Sequence, residues 1–165
     1  MLPAPPLRFN RSTATEDAMT PKENLTLAKN MYAMFNQRKL DEAAKTVAND
    51  CTWTNVSTGE TFKGPSGFKE FAKGWITAFS DARVDIQNQF ASENAVVTEF
   101  FGRGTHDGTL KTPAASIAPT RKKLDLKFCE VLTIKDGKVT GARLYFDTGT
   151  LMRQLGIVSE SVGSK

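Results

Sequence analysis

A carboxylate set among apolar side chains gives this sequence its plainest capacity for chemistry. Every second residue of the segment 124–134 reads Leu124, Leu126, Phe128, Glu130, Leu132 and Ile134. On a strand these side chains share one face, so Glu130 points where its apolar neighbours point. Burial there raises a carboxyl pKa and lets the group take and return a proton near neutrality. The competing reading is a structural ion pair with Arg143 on the adjacent strand. Asp147, just before Gly149, is a second acid/base candidate or the N-cap of a short closing helix. His106, the only histidine, stands in Gly104-Thr105-His106-Asp107-Gly108. It is either a donor to a carbonyl at a cavity mouth or a solvated turn residue. A base beside a carbonyl and a group that stabilises the enolate are what aldol and enolisation chemistry require.

Other chemistries find little support. Cys51 and Cys129 lie far apart, and with a single histidine no zinc-site spacing exists. Buried thiols are the expectation for both, with no metal and no cofactor. Neither a Gly-rich phosphate loop nor a nucleophile elbow is present. A net charge of +4 over 165 residues does not call for a nucleic-acid partner. The one basic cluster, Arg121-Lys122-Lys123, reads as a solvated loop or the guarded start of an edge strand. No apolar run approaches the roughly 20 residues that cross a membrane. Without a secretory leader either, the expected setting is cytoplasmic, without membrane association, which argues against a disulfide.

The length suits one domain. Residues 1–19, rich in proline and without periodicity, are expected to form a flexible tail, with the domain over 20–158 and a second tail over 159–165. Thr20-Pro21-Lys22-Glu23 carries a capping box, and Leu25, Ala28, Met31, Tyr32 and Phe35 follow at helical spacing. A second helix is expected over 40–48 and a short strand over 51–56. A small hairpin over 57–63 should then lead into a third helix. Its stripe is Phe68, Phe71, Ala72, Trp75, Ile76 and Phe79. The period then changes to two over 83–90, 95–105, 122–134 and 138–147, with turns at Ser92-Glu93-Asn94 and Lys135-Asp136-Gly137. A loop over 112–120 and a closing helix over 150–155 complete the chain. Helices followed by long antiparallel strands indicate an α+β fold. The three helices are available to cover a curved sheet, making a cone with an apolar interior.

Several segments, in this order, resemble the SnoaL-like polyketide cyclases of the broader nuclear-transport-factor-2-like (NTF2-like) fold. They are Asp50-Cys51-Thr52-Trp53, Gly64-Pro65-Ser66-Gly67-Phe68, Gly104-Thr105-His106-Asp107-Gly108, Asp136-Gly137-Lys138-Val139, and Asp147 followed by Leu151-Met152-Arg153-Gln154-Leu155-Gly156. The resemblance implies a cone-shaped α+β barrel, often dimeric, with a deep apolar pocket. It also implies ring closure by intramolecular aldol condensation without metal or cofactor, using a carboxylate on the last strand. Relatives on this fold isomerise ketosteroids, dehydrate, open epoxides or only bind. Where cyclase-like members carry a Glu-His-Trp-Asp-like run, this chain has Gly141-Ala142-Arg143-Leu144. Ala142 and Leu144 thus replace the histidine and the first aspartate, and Asp147 remains.

Trp53, Phe71, Trp75, Phe79, Phe100, Phe101 and Phe128, with Leu144, are the candidates to line a pocket for a small flat hydrophobic molecule. For the helix stripe, ordinary core packing is the alternative. An open sheet with one covered face should pair with a second copy, and Val131 and Thr133 lie on the face opposite Glu130. The expected function is a cofactor-independent cyclase or isomerase acting on a hydrophobic carbonyl compound. A non-catalytic binder and a dimeric interaction module are the alternatives.

Overall fold

The computed structural model describes residues 19–157. The two expected tails lie outside it apart from Met19, as does residue 158. Helix α1 (Pro21–Asn36) starts on the expected capping box: Thr20 Oγ1 accepts from the Glu23 N–H at 3.2 Å, and the Glu23 carboxylate accepts from the Thr20 N–H at 2.7 Å. Helix α2 (Leu40–Ala44) stops earlier than the periodicity suggests. β-branched Thr46 and Val47 leave the helix for a strand, and the Val139 N–H bonds Thr46 O at 2.8 Å. Strand β1 (Val47–Asn55) and the short β2 (Glu60–Lys63) form the small hairpin, and α3 (Gly64–Ala78) follows. Phe79 caps α3 and does not lie within it.

Strands β3 (Arg83–Ala91), β4 (Ala95–Thr105), β7 (Lys123–Lys135) and β8 (Lys138–Phe146) are the long antiparallel run. The minute pair β5 (Leu110–Lys111) and β6 (Ser116–Ile117) occupies part of the expected loop. Asp136 and Gly137 both have positive φ, 49° and 70°, as a two-residue turn with the twist of its strands requires. The sheet has six strands in the order β2-β1-β8-β7-β4-β3. It is mixed: β1 runs parallel to β8, with Thr52 to Asn55 set against Gly141 to Leu144. Helix α4 (Thr148–Gln154) is tied to β7 by Gln154, whose amide exchanges two hydrogen bonds with the Asp125 backbone at 2.9 and 3.0 Å. The sheet curls around α1 and α3, and the core fills the concave side, from Ala28, Met31 and Tyr32 to Trp53, Phe68, Phe100 and Leu132. No described helix is long and apolar enough to cross a membrane.

Gly102 on β4 shows how tightly the concave face is filled. A Cβ built there would stand 2.5 Å from Phe128 Cε2. Phe128 cannot retreat easily, because its ring stacks on Phe100 at 5.1 Å and 6° and meets Trp75 edge-on at 5.6 Å. Overpacking of this kind costs about 1–3 kcal/mol. Gly102→Ala should therefore lower the denaturation midpoint without changing the slope. Adding Phe128→Leu should recover part of the loss, giving less than the sum of the two single effects.

Candidate active site

Pleat and register decide what faces the interior. Gln89, Thr98, Glu130, Leu144 and Asn55 are successive register partners across β3, β4, β7, β8 and β1. They form one row across the concave face. Glu130 lies in its middle, 3% exposed, between Thr98 and Leu144. Helix α1 brings Tyr32 over it, and the Tyr32 hydroxyl donates to Glu130 Oε2 at 2.6 Å. No cation pairs with Glu130 among the described residues. Arg143 cannot serve, because it faces the other side of the sheet beside Val131 and is exposed. Burial pushes the Glu130 carboxyl up to about 7, against the opposing pull of the Tyr32 hydroxyl and the Trp53 indole. The indole Nε1 itself is buried without a hydrogen bond of normal geometry. Burial first, and then the Glu130 carboxylate beside it, hold the Tyr32 hydroxyl far above the usual phenol range.

Around this pair lies an apolar cavity with about 90 Å³ of room for the centre of a water-sized body. Trp53, Phe71, Trp75, Phe79, Phe128 and Leu144 all line it, as does Phe100. The rings interlock: Trp53 lies 4.9 Å from Phe68 and 5.7 Å from Phe71, and Trp75 lies 6.2 Å from Phe79. Phe101 is the exception, since strand alternation turns it to the opposite face, where the Arg103 guanidinium lies 4.8 Å from its ring centre. Leu144 and Ala142 point inward, 3% and 1% exposed, against Glu130 and Leu132 respectively.

The other two acid/base candidates stand elsewhere. Asp147 is exposed and caps α4, accepting from the Thr150 N–H at 2.9 Å. That backbone bond holds its carboxyl below the usual range, which suits a cap and not a proton shuttle. His106 is fully buried, neither solvated nor at the cavity. Its Nδ1 accepts from the Thr120 N–H at 3.2 Å, its ring lies 5.2 Å from Phe79, and burial holds its pKa down. It joins the end of β4 to the segment before β7. Four polar groups facing the interior were not singled out as site residues by the sequence: Tyr32 from α1, and Asn55, Thr98 and Gln89 from the sheet. A tyrosine within a helical apolar stripe was the available signal for the first, since a buried hydroxyl needs a partner. Among the described residues no three His, Cys, Asp or Glu side chains converge as metal ligands would.

The sequence model of the SnoaL-like polyketide cyclase family matches residues 26–155. No curated protein matches the chain. Among solved structures, a candidate SnoaL-like polyketide cyclase from Jannaschia sp. CCS1 superposes with a TM-score of 0.75 at 16% identity, over 91% of this chain and 99% of that one. AclR, a candidate hydroxylase from Streptomyces galilaeus, gives 0.71 at 21% identity, over 85% and 100%. A protein from Catenulispora acidiphila with a ketosteroid isomerase-like fold, solved with trimethylamine, gives 0.65 at 16% identity, over 85% and 96%. At these identities the structures establish the fold.

The buried carboxyl makes stability depend on pH in a stated direction. Its pKa of about 7 in the folded chain exceeds the ordinary 4.5, so the folded state holds the proton more tightly. Its contribution is complete below pH 4.5 and is lost as the pH rises to about 7, by about 3 kcal/mol in total. Thermal unfolding of wild type and Glu130→Gln should therefore diverge over that window, with wild type losing ground as pH rises. A constant difference between the two would refute the buried, unpaired carboxyl.

Proposed function

Because the chain belongs to the SnoaL-like polyketide cyclases, we propose that Glu130 is the acid/base of a proton transfer on a small apolar carbonyl compound held in the cone. One observation carries this reading. Glu130 is buried on the concave face beside its register partner Leu144, the position at which the family resemblance implies the first aspartate of the last-strand run. The carboxylate here stands one strand over, on the same face and in the same row. With a pKa of about 7, both its forms are populated near neutrality, which suits a group that must take a proton and give it back.

In this reading ionised Glu130 takes a hydrogen from the carbon next to the substrate carbonyl, and the electron pair moves onto the carbonyl oxygen. Returning the proton to another carbon isomerises the substrate. Attack of the enolate on a second carbonyl of the same molecule closes a ring, and the alkoxide formed there takes the proton back from Glu130. Tyr32 keeps the carboxylate oriented and favours its ionised form. The aromatic walls exclude water and favour flat apolar bodies.

Exchange of the hydrogens at C2 of 1-tetralone in D2O, followed by NMR, tests the proposal. Wild type should accelerate exchange, with a rate that rises with pH around an apparent pKa of about 7. Glu130→Gln should lose about 10²–10⁴-fold, the usual worth of a positioned base. Tyr32→Phe should move the profile upward in pH, because the hydrogen bond that favours the anion is gone. Asp147→Asn should exchange like wild type. Exchange that Glu130→Gln leaves unchanged would refute the assignment. Ala142 and Leu144 favour a second reading, a binder without turnover. It predicts saturable change in tryptophan emission with 1-tetralone and no exchange above buffer.

We also propose that two copies pair through the convex sheet face, with Val131 and Thr133 in the contact. Light scattering should then give about twice the chain mass of 18.1 kDa at micromolar concentration; the mass of one chain would refute it.

A further inference from the structure

Proton removal beside a carbonyl puts negative charge on the carbonyl oxygen, and a donor has to meet it there. Besides Glu130, the lining side chains able to donate are Tyr32, Trp53, Trp75, Arg83 and Arg103. The Tyr32 hydroxyl is engaged with Glu130 at 2.6 Å. Arg103 is held by Asp85 and Asp125, and Arg83 by Asp85 at 3.1 Å. Trp75 is half-buried, and its N–H is not an enclosed group. The Trp53 indole differs from all of these. The residue is 3% exposed, and its Nε1 is buried with no hydrogen-bond partner among the described residues. A buried N–H left unmet is costly, and native structures keep few of them.

The register places this donor beside the base. Trp53 on β1 lies against Ala142 of β8, which lies against Leu132 of β7. This row is next to the one that holds Leu144 and Glu130, on the same face. On β8 it carries only the methyl group of Ala142, so the wide indole has room to lie across that strand toward β7. Phe68 at 4.9 Å and Phe71 at 5.7 Å hold the ring in place. The N–H stands near enough to Glu130 to favour its anion, yet makes no hydrogen bond of normal geometry with it. Base and donor must be neighbours in enolisation, because the hydrogen removed sits one carbon from the carbonyl.

We propose that the Trp53 indole N–H is the donor that meets the substrate's carbonyl oxygen beside Glu130. Trp53 is then a second catalytic residue, a role that rests on the proton-transfer reading above. As Glu130 takes the proton, the C–H electron pair forms the carbon–carbon double bond of the enolate. The carbonyl π pair moves onto oxygen, and that oxygen accepts from Nε1. An indole N–H only donates, so its proton stays on nitrogen and the carboxyl returns the one proton it took.

Trp53→Phe keeps an aromatic ring, removes the N–H and leaves Trp75 to report binding by its emission. The Kd for 1-tetralone should rise about tenfold, the effect of one hydrogen bond, while that for tetralin, the same skeleton without the carbonyl, stays unchanged. Deuterium exchange at saturating 1-tetralone should fall about 10²–10³-fold, the usual loss on removing one such donor. It should stay low on the high-pH plateau where Glu130 is ionised. A loss that vanishes on that plateau, with only the midpoint moved in pH, would make the indole a support for Glu130 and overturn the assignment. Wild type labelled with 15N-tryptophan gives a measurement that does not depend on the variant's folding. The Trp53 Hε1 signal, told from that of Trp75 with Trp75→Phe, should move downfield with 1-tetralone and much less with tetralin. Equal shifts would overturn the assignment and leave Glu130 as the base. If the 1-tetralone shift appears but wild type does not exchange, the donor stands and the proton-transfer reading falls. If neither molecule binds, both fall.

Discussion

A carboxyl group buried in a cone of aromatic rings, with one tyrosine hydroxyl as its hydrogen-bond partner, is the constraint around which this structure is arranged. Such a group is tolerable only if that hydroxyl is held in place, and the fold holds it from both ends of α1. Near the start, the Asn24 amide donates to Ser92 O and Glu93 O in the β3–β4 turn at 3.0 and 3.1 Å. At the end, Asn36 bridges to β3, accepting from the Val84 N–H at 2.8 Å and donating to Val84 O at 2.9 Å. Tyr32 is thereby fixed over β7 by bonds to the backbone of another element. The interlocked rings complete the arrangement by keeping water and counter-ions away from Glu130, which is why its proton is held near neutrality.

Local features were legible in the sequence because their causes are local. The capping box, the two-residue turn at Asp136-Gly137 and the α3 stripe from Phe68 to Ile76 have local causes and appear where the pattern puts them, with Phe79 just past the end of the helix. The inward aim of Glu130 was legible for the same reason, since alternation along one strand decides it. The partner of Glu130 was not. Tyr32 is 98 residues away, and only the packing of α1 across the sheet joins them. Arg143 looked adjacent, but antiparallel register opposes it to Val131 and gives Leu144 to Glu130, a difference of one residue that changes the face. The parallel pairing of β1 with β8 was likewise hidden, because no short-range signal reports a partner so distant in sequence.

Asp147 and His106 show why residue type alone misleads. Both are chemically able, and both lie in segments that carry the family resemblance. In the fold, Asp147 spends its carboxylate on the N-terminal amides of α4. His106 spends its ring nitrogen on the Thr120 amide and its face on Phe79. A group lowered in pKa by backbone amides is a poor base at neutral pH, and one enclosed away from the cavity cannot touch a substrate. The electrostatic contrast between these carboxylates, one raised by burial and the other lowered by amides, separates proton-transfer candidate from cap more clearly than either position in the sequence does.

A leucine at position 144, where the family resemblance implies an acid, then has a physical interpretation. Two carboxylates facing each other as register neighbours in an apolar interior would repel, and one would stay protonated. A single carboxyl in that row is therefore the economical arrangement, and the sheet offers several strands from which to supply it. Glu130 on β7 and the position of Leu144 on β8 are adjacent on the same face, so either can present an acid to one volume of the cone. What the row cannot move is Tyr32, which α1 holds at a fixed place over β7. An acid on β7 meets that hydroxyl directly, whereas β8 lies one strand farther away. The register of the sheet and the placement of one helix therefore fix which strand carries the carboxyl in this chain.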